Sequence, residues 1–159
     1  MAKEHYRHLV DQICAHTLIP NPAALYHATN LAVRDIDFSL QYVDDSGHGD
    51  VAILCDFGEL PDRRREEVML RLLETNFYMS ESPGAPMLSF NDQSQRVTLT
   101  CKMALQGLHA EVLLALMGQF SDMVKAWRSS YFLPAAPKPQ RMSGHALNGP
   151  HSSALSTLR

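Results

Sequence analysis

The feature that most constrains the fold is a change of hydrophobic period in residues 33–43. Four apolar residues alternate there with polar ones: Ile36, Phe38, Leu40 and Tyr42. This period of two is typical of a strand with one buried face. Residues 44–49 contain two glycines and several polar residues, as a turn does. Residues 51–55 then predict a second strand, so the two strands form an antiparallel hairpin.

The rest of the chain switches between helical and strand periods. Three stretches have apolar residues three or four positions apart, as in an amphipathic helix: 4–18, 61–77 and about 109–130. Pro61 fits the first turn of the middle helix, where its missing N–H costs nothing. Two later stretches predict strands: 87–90 and 96–103. The order is helix, two or three strands, helix, two strands, helix, which predicts an α+β fold with an antiparallel sheet and three flanking helices.

Charge divides the 159-residue chain into two parts. Up to Leu133 there are 11 Lys and Arg against 17 Asp and Glu, a net charge of −6, whereas the remainder carries +3. An acidic folded part argues against nucleic acid as a partner, because phosphates require a basic face. Residues 134–159 have four Pro, two Gly and four Ser but no acidic or aromatic residue. We therefore predict one domain over residues 1–133 and a disordered tail over 134–159.

The sequence predicts a cytoplasmic protein. No apolar run approaches the roughly 18–20 residues of a membrane span, and the N-terminal residues lack the apolar core of a signal peptide. Cys14, Cys55 and Cys101 are far apart and form no CxxC pair. This spacing favours buried, reduced thiols over disulfides or a zinc site.

Motifs for chemistry are weak. Residues 56–58 spell Asp-Phe-Gly, but the chain lacks the glycine-rich loop and the catalytic loop that accompany this tripeptide in kinases. His5 and His8 could share a metal on one helix face, yet no third ligand completes a site. Asp35 and Asp37 could act as an acid–base pair on one strand face, or simply be its solvated side. We predict no catalytic residue, no metal ligand and no cofactor.

The middle and last helices carry a family resemblance. Residues 72–77, Leu-Leu-Glu-Thr-Asn-Phe, resemble the end of the central helix in the Tir-chaperone (CesT-like) family of type III secretion chaperones. The loop and short strand up to Phe90 look like the next element of that family. A set of residues is similar to the closing helix of the family: Leu105, Leu108, Glu111, Leu113, Phe120, Ala126 and Trp127. The resemblance covers about residues 4–131, while His109 stands where family members usually have Asp.

The resemblance implies a specific function. Such chaperones are acidic homodimers of the bacterial cytoplasm that hold the N-terminal segment of a secreted virulence effector, keep it soluble and competent for secretion, and use no ATP. Delivery to the secretion apparatus is a further expectation.

The resemblance also implies two sets of contact residues. Dimerisation through the central helix would involve Met69, Leu70, Leu73 and Phe77, and Leu70 widens the apolar stripe beyond the needs of one core face. We predict effector contacts at Leu9, Ile13, Phe38, Leu40 and Tyr42, although each of these five could equally belong to the core.

Two alternatives remain open at this stage. The first is an α/β adaptor or regulatory domain that binds a folded cytoplasmic partner. The second is a small enzyme or ligand-binding domain with a deep polar pocket.

Overall fold

The structure, a computed structural model, describes residues 2–44, 47, 49–81 and 84–135. These residues form three helices: α1 (Ala2–Thr17), α2 (Arg65–Met79) and α3 (Ala110–Ser130). They also form five strands: β1 (Thr29–Val33), β2 (Ile36–Val43), β3 (Asp50–Glu59), β4 (Met87–Asn91) and β5 (Arg96–Ala104). A short 3₁₀ helix, Pro22–Leu25, links α1 to β1. Nearly all of the predicted tail lies outside the described residues.

The five strands form one antiparallel sheet in the order β1-β2-β3-β5-β4. Its register aligns one buried apolar residue from each strand in a row: Leu31, Phe38, Cys55, Leu99 and Leu88. Because side chains alternate along a strand, this row defines one apolar face. The opposite face carries mainly polar side chains, so the sheet has one side for the core and one side for solvent.

Helices α1 and α3 cover the apolar face. Their buried residues repeat at helical spacing and join the strand residues in a single core: Tyr6, Leu9, Val10, Ile13 and Cys14 from α1, and Leu113, Met117, Phe120, Val124 and Trp127 from α3. Helix α2 buries only Val68 and Leu72, and it lies against β4 at one edge of the sheet. The predicted α+β class with three flanking helices is confirmed, and the first group contains three strands.

The additional strand arises from a tight turn inside the stretch predicted as one strand. Arg34 and Asp35 both have positive φ (52° and 65°), as in a two-residue type I′ hairpin turn. The Arg34 guanidinium donates to the Asp122 carboxylate (2.7 Å) and to the Gly118 carbonyl oxygen (3.3 Å), which ties the hairpin to α3. The predicted placement of Asp35 and Asp37 on one strand face was wrong, because Asp35 belongs to the turn.

The Asp-Phe-Gly tripeptide lies inside a strand that is longer than the strand predicted over residues 51–55. Strand β3 does not end at Cys55 but continues to Glu59, with a β-bulge between Asp56 and Gly58. The extra residue, Phe57, is fully buried, and its ring centroid lies 6.3 Å from that of Trp127. The Phe57 ring of the tripeptide therefore packs the sheet against the end of α3.

The predicted start of the middle helix at Pro61 was wrong. Arg64 has a left-handed backbone (φ 56°), and the helix begins at Arg65. The Arg64 guanidinium contacts the Glu67 carboxylate at 2.6 Å within the first turn. This ion pair compensates for a residue type that cannot cap the helix N-terminus through its side chain.

We expect Phe57→Ala to lower the free energy of unfolding by about 3–5 kcal/mol, because it removes a buried aromatic ring and leaves a cavity beside Trp127. Urea unfolding followed by Trp127 fluorescence measures the loss. Gln93→Ala, at an exposed position in the β4–β5 turn, is the control and should change stability by less than about 0.5 kcal/mol. An equal effect of both substitutions would contradict a core role for Phe57.

Candidate protein-binding surfaces

The outer side of α2 carries an exposed apolar stripe. Leu70, Leu73 and Phe77 are 57%, 65% and 74% exposed, and they follow one another at helical spacing on a single face. Tyr78 lies beside them, with its ring centroid 5.5 Å from that of Phe77. Four of the seven large exposed apolar side chains of the described residues are thus on this one helix. Such a concentration marks an interaction surface rather than scattered exposure.

The predicted dimer residues therefore do not share one environment. Leu70, Leu73 and Phe77 project into solvent, whereas Met69 is half-buried and packs against the core. On the other face of the helix, Val68 and Leu72 are buried and pack against the rest of the domain. The structure places three of the four predicted residues together on an accessible surface, and their contact with a second copy stays a prediction.

The five residues predicted to face an effector lie mostly inside the chain. Leu9, Ile13, Phe38 and Leu40 are each at most 2% exposed and belong to the core. Tyr42 is half-buried, with its ring centroid 5.9 Å from that of Tyr6. Their contact with an effector remains a prediction. Within the single chain, α1 and α3 cover these side chains.

Two of these residues line the walls of surface grooves. Leu9 contributes to a groove of about 210 Å³ between α1 and the 105–109 segment. Phe38 contributes to a groove of about 420 Å³ on the polar side of the sheet, next to β1. This second groove is bordered by Asn30, Ala32 and Leu54. Sequence reasoning missed it, because the residues of β1 show no clear alternation and were not predicted as a strand.

A third groove has a volume of about 520 Å³. It lies between the loop before β4, strand β5 and the first turns of α3, and its apolar walls come from Pro86, Met103, Leu108, Val112 and Leu116. Val112 is 53% exposed there. The helical period of residues 109–130 does not by itself show that Val112 lies at an exposed position.

Reactive groups do not converge in the described part of the chain. The thiols of Cys14, Cys55 and Cys101 are free and buried. Burial, aided by the neighbouring Asp56 carboxylate, raises the pKa of the Cys55 thiol to about 12. A thiol with this pKa is protonated at neutral pH and is therefore a poor nucleophile. Among these residues there is also no group of three or more His, Cys, Asp or Glu arranged to hold a metal ion.

The individual polar candidates have structural partners. The Asp56 carboxylate forms an ion pair with Arg96 and accepts the Gly58 N–H at 3.1 Å, which stabilises the bulge. The ring of His8 is hydrogen-bonded to the Gln12 amide at 3.1 Å. No helix in the described ranges is long and apolar enough to cross a membrane.

We expect all three thiols to resist labelling by a thiol reagent in the native protein at pH 8 and to react fully in urea. The reason is that burial raises the pKa of each thiol above its ordinary value and blocks access. Mass spectrometry of the labelled protein counts the modified thiols. Rapid labelling of a single cysteine under native conditions would contradict this picture and would favour a cysteine-dependent activity.

Comparisons with known proteins agree with this architecture. A comparison with curated protein sequences gives no match. Among solved structures, the chain is similar to a chain in "Structure of the HopA1-SchA Chaperone-Effector Complex", with a TM-score of 0.60 and 12% identity over 82% of this chain and 98% of that chain. It is also similar to a chain in "Crystal Structure of the ExsC-ExsE Complex", with a TM-score of 0.57 and 12% identity over 86% and 98%.

Identities this low support the fold alone. A family model, however, matches residues 30–128, from the first strand almost to the end of α3, and its description is the Tir chaperone protein (CesT) family. The match covers more than half of the sequence and includes the α2 stripe, the sheet and the groove beside α3. The chain therefore belongs to the Tir chaperone protein (CesT) family, the type III secretion effector chaperones that its sequence resembles.

Proposed function

We propose that this protein is a homodimeric chaperone of the bacterial cytoplasm that binds the N-terminal segment of a type III secreted effector. It keeps that segment soluble and competent for secretion, and it needs neither ATP nor catalysis. The observation that carries the proposal is the apolar stripe on α2. A family member with a closed core but an exposed helix face is suited to work as a pair and to bind protein.

The free energy gained by burying the stripe can be compared with the free-energy cost of association. Leu70, Leu73 and Phe77 are 57–74% exposed, so burying each would contribute about 1–2 kcal/mol. Six such side chains from two copies contribute roughly 6–12 kcal/mol, while association costs on the order of 4–15 kcal/mol. The stripe alone is therefore barely sufficient. We propose that the interface also includes Tyr78 and the half-buried Met69.

The free edge of the sheet is suited to an extended client segment. Thr29, Leu31 and Val33 pair with β2, so the N–H and C=O groups of Asn30 and Ala32 point away from the sheet. Within the described part of the chain, no hydrogen bond reaches these backbone groups. A client strand could pair with them and place side chains into the adjacent groove beside Leu54.

Binding by strand addition would require no nucleotide, as the proposal states. Strand addition gains free energy from backbone hydrogen bonds and from apolar contacts, and it offsets the ordering of a disordered segment. Strand addition also requires that the client segment is extended. An adaptor for a folded partner would need a preformed complementary surface instead, and the open β1 edge favours the extended segment.

We expect Leu73→Glu to convert the dimer to a monomer, because it places a charge in the centre of the α2 stripe. Sedimentation velocity measures the solution mass. Val112→Glu is the matched control, since Val112 is similarly exposed (53% against 65%) but lies on α3. The proposed interface would be refuted by a Leu73→Glu protein that remains dimeric, or by loss of the dimer in both variants.

We expect the tagged protein, purified from its own bacterium, to recover one larger secreted protein bound through its N-terminal segment with two copies of this chain. Mass spectrometry, limited proteolysis and the solution mass of the complex test this expectation. Hydrolysis of nucleotides with apyrase should leave the complex intact. Recovery of folded cytoplasmic regulators alone would favour the adaptor, and a monomer without a protein partner would contradict the chaperone.

We expect Ala32→Pro to reduce recovery of that client by at least about tenfold, because proline removes an outward-facing N–H from the β1 edge without breaking a bond to β2. Ala32→Ser is the control, since it keeps the N–H and should bind normally. Equal recovery with both variants would place the client elsewhere, and the groove bordered by Val112 and Leu116 would be tested next.

A further inference from the structure

The second edge of the sheet, at β4, is contacted by a side chain, whereas the β1 edge is open. Strand β4 pairs with β5 on one side only. On its other side, the Asn76 side chain of α2 makes two hydrogen bonds to one residue of the strand. The Asn76 Nδ2 donates to the Leu88 carbonyl oxygen at 2.9 Å, and the Leu88 N–H donates to the Asn76 Oδ1 at 2.8 Å.

This amide occupies the position of a neighbouring strand. A carboxamide has the same donor and acceptor as a peptide group, and both are used here on the backbone of a single residue. In an antiparallel pair, residues alternate between facing the partner strand and facing away. Since Leu88 turns its backbone groups to Asn76, Met87 and Ser89 are the residues that bond to β5, and Leu88 and Phe90 form the outer edge.

The outer edge of β4 has few backbone donors to begin with. Pro86, the preceding position with the same orientation, has no N–H. Leu88 and Phe90 are therefore the two positions with an N–H at this edge, and Asn76 uses the first. The second position is contacted through its side chain, since the Arg65 guanidinium at the start of α2 lies over the Phe90 ring, 5.2 Å from its centroid. An incoming strand would find no two consecutive positions to pair with.

We propose that Asn76 is a strand-mimicking cap that closes the β4 edge and prevents it from pairing with the β4 edge of a second copy. Exposed strand edges are templates for self-association, and folded proteins cover them in several ways. A bidentate side chain from a helix does this without an additional strand. The cap also leaves β1 as the open edge of the sheet. The inference goes beyond effector binding and does not depend on it.

The test uses Asn76→Ala with Thr75→Ala as the matched control. Thr75 is the adjacent residue of α2, and its hydroxyl donates to the Arg71 carbonyl oxygen within the helix. Hydrogen exchange should accelerate roughly tenfold at the Leu88 amide in Asn76→Ala, the equivalent of one lost hydrogen bond, and remain unchanged at Ser89. Thr75→Ala should leave the exchange of Leu88 unchanged. Unchanged exchange at Leu88 in Asn76→Ala would overturn the proposal.

Sedimentation velocity over increasing concentration separates an edge cap from a merely structural contact. Asn76→Ala should form species larger than the wild-type protein, and Asn76→Ala with Ser89→Lys should not, because an edge lysine disfavours strand pairing. Ser89 is exposed, so the second change leaves the core intact. A wild-type size for Asn76→Ala, or failure of Ser89→Lys to reverse association, would overturn the proposal.

Asn76→Asp provides a second variant in case Asn76→Ala does not fold. It keeps an acceptor for the Leu88 N–H but loses the donor to the Leu88 carbonyl oxygen. Protection of Leu88 should persist, and association should stay at the wild-type level, because the Leu88 N–H remains bonded and is not available to another strand. Faster exchange at Leu88, or species larger than the wild-type protein, in Asn76→Asp would overturn the cap. The Leu73→Glu variant tests the dimer separately, so the two proposals can fail independently.

Discussion

The architecture depends on the single apolar face of the sheet and on its complete coverage by two helices. Helices α1 and α3 pack over the row of buried strand residues, and Phe57 joins that layer to Trp127 at the end of α3. No room is left on this face for α2, whose buried residues are Val68 and Leu72. The third helix must therefore lie at the sheet edge, where its remaining apolar residues meet solvent.

The sequence was informative wherever hydrophobic period alone decides the structure. Strand β2, strand β5 and the long α3 follow from alternation or from helical spacing, because burial on one face imposes the period. The β1–β2 turn could not be predicted in this way, since Arg34 is not a residue typical of positive φ and the turn contains no glycine. The bond from Arg34 to Asp122 stabilises the turn from a distance of 88 residues. Local propensity contains no trace of such a contact.

The candidate surfaces show the same limit more sharply. Ile13 and Leu73 are both aliphatic residues in helical apolar stripes, yet the first is 1% exposed and the second is 65% exposed. The residue types do not distinguish them. Which stripe is covered depends on how many helices the sheet can accept on one face. The only local sign was the width of the α2 stripe at Leu70, and it correctly indicated a helix with more apolar surface than one core uses.

The separation of the two proposed binding surfaces follows from the strand order. Strand β1 lies four inter-strand steps from β4, a distance of about 19 Å at the usual strand spacing. The α2 stripe is on the β4 side, so a second copy bound there would not obstruct the β1 edge. Each chain of a dimer could then accept its own stretch of the same client. With Asn76 bound to Leu88, the β4 edge has no free N–H at this residue, so the proposed strand addition would take place at the β1 edge, away from the proposed dimer contact.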